Sequence, residues 1–294
     1  MDYITTFRYD SGKALVNYDT DFTGKYNSKS DSTPDFEAGI KRLRELQSML
    51  YARGRHGVLI ILQAMDAAGK DGVIKHVMAG VNPQGCQVKS FKAPSEEELA
   101  HDFMWRCFKA LPERGNIGIF NRSYYEEVLI VKVHPDILKK QNLPYFEHHQ
   151  KAGNDFWTDR YNDINNFEKY FTNNGFRIIK FFLNVSKEEQ KKRFLSRIDK
   201  SSKNWKFTMS DVSERQHWDK YSAAYEQMLM HTNSEHAPWY VIPADKKWFM
   251  RNAVCQILVE HLESLNLSYP KVSQAHLDTI AKARVMLEEE KPSY

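Results

Sequence analysis

Cysteine is scarce in this 294-residue chain, and Cys86, Cys107 and Cys255 lie too far apart for the paired spacing of a metal site. That excludes a cysteine-metal module and predicts three free thiols in a reducing cytoplasm. No uninterrupted apolar run of about 18 residues occurs, so neither a transmembrane helix nor a membrane partner is expected. The opening MDYITTFRYD lacks the basic and apolar regions of a signal peptide. Internal repeats and low-complexity tracts are missing too, which argues against a repeat architecture. A large excess of one charge is also absent, since 42 Lys and Arg against 38 Asp and Glu leave only +4.

That small excess is concentrated. Residues 187–206 hold eight Lys or Arg against three acids, so this segment carries +5 and the rest of the chain sums to −1. One basic segment fits a local polyanion contact better than a nucleic-acid-coating surface, which draws on several elements. A solvated helix face is the plainer alternative.

With 41% hydrophobic residues the chain can fill one large core. The first 33 residues are polar and lack a helical apolar period, predicting an extended arm packed on the body. A helix is expected from Thr33-Pro34, with Phe36, Ile40, Leu43, Leu46 and Leu50 on one face. Residues 58–62, VLIIL, read as a strand buried on both faces. Further strands are expected at 86–91, 117–120, 176–185 and 239–242, with helix-length segments between them. This alternation predicts an α/β fold, a doubly wound parallel sheet of about five strands flanked by helices. Ser186 with Glu189 predicts a capping box, and Ser210 a long helix through Trp218, Tyr221, Tyr225 and Met228. The polar connection 199–207 between these helices predicts a lid with bounds of about 193–215. Residues 34–270 would form the main domain, and residues 271–294 a C-terminal helix and tail.

Of three Gly-Lys pairs, only Gly69-Lys70 follows a buried strand and precedes a helix-like stretch, the context that a P-loop requires. Ala67, Ala68 and Gly69 let backbone N–H groups approach phosphate, and Lys70 reaches the transferring group. The match to G-x-x-x-x-G-K-[ST] is imperfect. Ala64 replaces the first Gly, Asp71 replaces the metal-binding hydroxyl, and Asp66 adds a carboxylate. Acids flanking one lysine make sense if a metal bridges them to phosphate or one acts as a base. At the end of the third strand, Asn121 occupies the Walker-B carboxylate position. Arg122 is placed to stabilise a phosphoryl group in flight, and Glu126 or Glu127 to supply a metal ligand. His76, His101 and His134 lack ligand spacing and read as structural.

Four motifs carry a resemblance: residues 64–71 (AMDAAGKD), 80–85 (GVNPQG) and 120–127 (FNRSYYEE), and Trp205-Lys206-Phe207 with Glu214-Arg215 and Trp218. Over about residues 36–248 the chain resembles the family-2 polyphosphate kinases. The resemblance implies a P-loop kinase fold of the thymidylate-kinase type with a helical lid. It further implies Mg²⁺ dependence, with Mn²⁺ as a substitute, and phosphoryl transfer between polyphosphate and nucleoside mono- or diphosphates. It also implies a homo-oligomer, a tetramer or dimer. Asn121 with Glu126 resembles the subclass that takes both AMP and ADP, and guanine nucleotides are expected as further acceptors.

On this footing Asp66, Lys70 and Arg122 are the expected catalytic residues, and Asp66 with Glu126 the expected metal pair. Asn121, Tyr125 and Glu126 are expected at the nucleotide. Lys75, Lys89, Lys92 and Arg106 are candidates for a polyphosphate channel beside Ala67, Ala68, Gly69 and Asp71. Arg193, Arg197, Lys203 and Lys206 are candidates for a closing lid. Two rivals remain at this point: an ATP-driven nucleoside monophosphate kinase, and a P-loop module that binds RNA or another polyanion without catalysis.

Overall fold

The computed structural model describes residues 1–205 and 207–290, with Lys203 by its backbone alone. All five expected strands are present: β1 (Gly57–Gln63), β2 (Cys86–Ser90), β3 (Ile117–Asn121), β4 (Phe176–Asn184) and β5 (Trp239–Pro243). They form one parallel sheet in the order β2-β3-β1-β4-β5. Every residue of β1 is buried, as its unbroken apolar run requires of a central strand covered on both faces.

Among the described residues seven longer helices complete the fold: α1 (Lys29–Arg53), α2 (Lys70–Val77), α3 (Asn154–Asn173), α4 (Lys187–Ile198), α5 (Trp218–Thr232), α6 (Lys247–Glu263) and α7 (Gln274–Glu288). One core cluster lies between the sheet and α1, α2 and α6. The second lies between the opposite face and α3 and α5. The chain is an α/β doubly wound protein, and order reverses beside β1, where such sheets bind ligands at the carboxyl ends of their strands.

Several expected boundaries move. Helix α1 begins five residues before Pro34, because the Ser28 hydroxyl accepts from the Asp31 N–H and caps the helix there. Pro34 then withholds its N–H in exposed early turns, where water satisfies the carbonyl left over. The N-terminal segment packs on the body but is not wholly extended. Tyr3–Phe7 forms a helical turn whose first N–H groups are taken by Glu260, and Tyr9 donates to the Trp239 carbonyl at the sheet edge.

The Ser186 cap forms, but its box stays open: Glu189 turns to Arg193, and the Ser186 N–H goes to Asp245. The long helix expected from Ser210 is broken. Residues Met209–Glu214 form a short helix under a Thr208–Asp211 capping box, Arg215–His217 tighten into a 3₁₀ turn, and α5 begins at Trp218. No described helix is long and apolar enough to cross a membrane.

Candidate active site

Strand β1 delivers residues 64–70 to the carboxyl edge of the sheet, and the turn into α2 uses unusual backbone. Ala67 adopts φ of 61° and Gly69 φ of 122°. Gly69 has a second constraint, since a Cβ there would lie 2.9 Å from the Met250 methyl. Lys70 is buried, and its Nζ donates to the Ala64 carbonyl at 2.8 Å and to Met65 at 3.4 Å. Burial, reinforced by the Arg122 charge, pushes the Lys70 ammonium down to about 8 against the opposing pull of Asp66, Glu126 and Asp71.

Strand β3 ends beside this loop. Arg122 stands in the left-handed region at φ of 63°, a conformation that costs an L-residue roughly 1–2 kcal/mol and is held here by its donation to the Leu62 carbonyl. Its guanidinium bridges two carboxylates, Asp66 at 2.6 Å and Glu126 at 3.3 Å. Burial works against the Arg122 charge, but Glu126 and Asp66 outweigh it and hold the group above its usual range. Burial raises the Glu126 carboxyl, while Arg122 and Lys70 oppose that rise. Asn121 donates to Asp71 at 3.0 Å. An aspartate at 121 would repel Asp71, so the amide explains how these two positions can meet.

Asp66 and Arg122 form a wall shared by two chambers. On one side is a cleft of about 640 Å³ whose cations, besides Arg122, are Lys70, Lys192, Arg193, Arg197, Lys247 and Arg251. On the other is a narrow chamber of about 40 Å³, walled by Met65, Ile130, Trp218, Tyr221 and Tyr225 with Asp211 and Glu214 beside them. Tyr221 donates to Glu214 at 2.7 Å, and His134 contacts the same carboxylate at 2.9 Å. One chamber suits a chain of phosphates; the other has flat apolar walls of the kind that flank a base, but at about 40 Å³ it must widen to hold one.

The structure brings Asp66, Ala67, Gly69, Lys70, Asp71, Asn121, Arg122, Arg193 and Arg197 to the cleft, with Glu126 just beyond the wall. Ala68 is wholly buried beneath the loop. Four channel candidates do not line the cleft: Lys75, Lys89 and Lys92 are exposed elsewhere, and Arg106 holds the Lys92 carbonyl and Glu98 beside a separate depression.

Tyr125 is core rather than nucleotide site. It is fully buried, donating to Glu168 at 2.7 Å and accepting from Lys180 at 2.9 Å. Arg193 lines the cleft but is no mobile lid residue, since its guanidinium is pinned on the carbonyls of Ala67, Ala68, Ala244 and Asp245. Arg197 pairs with Asp211 at 3.8 Å. Lys203 lies in the helical turn Ser201–Asn204, and Lys206 lies outside the described residues.

Sequence reasoning missed Lys192, Lys247 and Arg251. Lys192 stood inside the basic segment without being singled out. Lys247 and Arg251, four apart just after a strand, fall on one face of the first turns of a helix, and that spacing was the available signal. The Arg251 Nε is buried with no hydrogen-bond partner, which makes it a donor in want of an acceptor at the cleft.

The family model for polyphosphate kinase 2 matches residues 26–270. A protein of Rhodopseudomonas palustris named ADP-polyphosphate phosphotransferase is 52% identical over 283 residues, 96% of this chain and 97% of that protein. One from Meiothermus ruber, named AMP/ADP-polyphosphate phosphotransferase, is 44% identical, covering 89% of this chain and 92% of its own. The crystal structure of polyphosphate kinase 2 from Arthrobacter aurescens TC1 superposes with a TM-score of 0.88 at 40% identity, covering 98% of each chain.

Proposed function

The chain belongs to the polyphosphate kinase 2 family, and from that membership we propose how its two-sided site divides the reaction. The enzyme is a phosphotransferase that moves a phosphoryl group between inorganic polyphosphate and nucleoside mono- or diphosphates. Polyphosphate takes the cationic cleft, and the nucleoside end of the acceptor takes the aromatic chamber, whose walls must part to admit it. The observation that carries this division is Arg122, held between Asp66 and Glu126 on the wall that both chambers share. The partnerless Arg251 donor supports an anion along the cleft.

Phosphoryl transfer requires placement and charge stabilisation more than a protein nucleophile. Lys70 and Arg122 neutralise charge on the group in flight, and Asp66 orients the attacking phosphate oxygen. The expected lid, about residues 193–215, would close over the site and exclude water that would divert the phosphoryl group. Mg²⁺, with Mn²⁺ as a substitute, belongs to the proposal: no three-ligand cluster occurs among the described residues, and Mg²⁺ fits one or two carboxylates plus substrate phosphates. Asp66 and Glu126 would hold it, and it would screen charge between phosphates.

We extend the acceptor range to both AMP and ADP, with guanine nucleotides as further acceptors. The Meiothermus relative's name supports the wider range, while the Rhodopseudomonas relative is named for ADP alone. A homo-oligomer, a tetramer or dimer, and a cytoplasmic setting complete the proposal. The exposed apolar side chains Leu277, Ile280 and Leu287 of α7 support the former, and three free thiols the latter.

The test is a luminescence assay for ATP with purified protein, Mg²⁺, long-chain polyphosphate and either ADP or AMP. ATP is expected from both. ATP from ADP alone would restrict the enzyme to diphosphates, and ATP-driven phosphorylation of a monophosphate without any use of polyphosphate would overturn the reading.

A pH dependence also follows. The ammonium of Lys70 exists below its pKa, so kcat/KM for polyphosphate should fall as pH rises through about 8 in the free enzyme. In Lys70→Arg the guanidinium stays charged, and a pH–rate profile should lose that alkaline limb; an unchanged limb would detach it from Lys70.

A further inference from the structure

Three consecutive carbonyls of the phosphate-binding loop accept from two side chains of α4. Gln190 Nε2 donates to the Asp66 carbonyl at 3.0 Å. Arg193 donates to the Ala67 carbonyl at 3.1 Å and, through the same nitrogen, to Ala68. Both side chains are buried, at 4% and 6% exposure, so these bonds are shielded from competing water.

In a trans peptide the C=O of one residue and the N–H of the next point in opposite directions. Holding the Asp66 and Ala68 carbonyls on α4 therefore turns the Ala67 and Gly69 N–H groups away from Gln190 and Arg193; both residues line the cleft, whereas the N–H of buried Ala68 is taken by the Met65 carbonyl. The arrangement also explains why an alanine stays at φ of 61°, a position that local preference disfavours.

Arg193 is itself braced. Its Nε donates to Glu189 at 2.8 Å, and its other terminal nitrogen holds Ala244 and Asp245 after β5. Gln190 has a second attachment. Its Oε1 accepts from Arg215 at 2.8 Å, and Arg215 also holds the Lys187 carbonyl. Arg215 opens the 3₁₀ turn at the end of the lid segment. Asp66, Gln190 and Arg215 thus form a chain of contacts from loop to lid.

We propose that Gln190 and Arg193 are positioning residues that set the peptide planes of the phosphate-binding loop, and that Arg215 makes this setting depend on the lid. The proposal rests on the reading of the loop as the polyphosphate site. Closure of the lid would then do more than exclude water: it would fix the direction of the loop's anion-binding N–H groups.

The experiment uses the full chain with Gln190→Met, Arg193→Lys, Arg215→Met and the double Gln190→Met/Arg215→Met. Two readouts are taken: calorimetric binding of tripolyphosphate, and amide hydrogen exchange over residues 64–71. Gln190→Met and Arg193→Lys should weaken tripolyphosphate about ten- to hundredfold, the scale on which small misplacement acts, and should speed exchange in the loop. Arg215→Met should act in the same direction and add nothing on top of Gln190→Met, because both cut one chain of contacts.

Glu260→Gln serves as the control for general destabilisation, because it loosens the N-terminal arm through Tyr3 and Ile4 far from the loop; it should bind tripolyphosphate as the parent does. Parental affinity and exchange in both Gln190→Met and Arg193→Lys would overturn the proposal. Additive losses in the double variant would overturn the link to the lid. A parent chain that fails to bind tripolyphosphate would overturn the functional reading instead, and loop exchange would still decide the positioning role.

Discussion

Lys70→Ala lowers turnover with polyphosphate and ADP by about 10²- to 10³-fold, the scale for removing one preorganised charge at a group-transfer centre. The side chain is buried beside Asp66, Glu126 and Asp71, where a positive charge acts through less solvent than it would at the surface. Alanine also removes the donor that the Ala64 carbonyl holds, so loop disorder could imitate a catalytic loss. A thermal melt run beside steady-state assays separates the two. A parental melting temperature with lost turnover places the effect in the reaction, and near-parental turnover would remove this lysine from the mechanism.

Lys180→Met destabilises the fold by about 3–5 kcal/mol, the range for breaking a buried ion pair from one side. Lys180 and Glu168 have no exposed surface and meet at 2.6 Å. The ammonium spends its other donors on the Tyr125 hydroxyl and the Thr232 carbonyl, while Glu168 accepts from both Tyr124 and Tyr125. Burial pushes the Lys180 pKa down and Glu168 pushes it back up. Removing the lysine leaves a buried carboxylate with only tyrosine donors. For a chain of this size the melting temperature should drop by about 5–8 °C. Lys180→Met with Glu168→Leu should recover part of the loss; a single variant as stable as the parent would mean that the pair contributes nothing net.

Those two buried charges also show where sequence reasoning stopped. Four strands were legible as compact, mainly apolar runs, β1 by five apolar residues without a break, whereas β2 (CQVKS) is mostly polar and exposed and was legible chiefly from its place in the alternation. Their order was not, since parallel crossovers leave no local mark of which strand lies next to which. Lys180 interrupts the apolar run of β4, and a charge at such a position needs a buried partner; that signal would have moved Tyr125 from nucleotide site to core. The loop was legible from Gly69-Lys70 in its context. The hydrogen bonds behind it were not, because Gln190 and Arg193 look like ordinary members of a polar helix until their carbonyl partners are known. The break at Arg215–His217 was hidden for a related reason: Trp218, Tyr221 and Tyr225 keep helical spacing on the far side of it.

The sheet order and the pairing of α1 with α6 have a consequence for biosynthesis. Val58 of the central strand pairs with Ile117 on one side and Arg177 on the other, so β1 leaves the ribosome long before either neighbour exists. Helix α1 waits longer still. The face bearing Leu43, Leu46 and Leu50 belongs to the core that α6 closes, and Lys247–Glu263 is nearly the last structured stretch to be translated. Much of the nascent chain must therefore hold its most apolar surfaces open during elongation, the circumstance in which holding chaperones matter most. Premature termination anywhere before α6 would yield not a smaller enzyme but a sticky fragment, marked for degradation by the surfaces it could not cover.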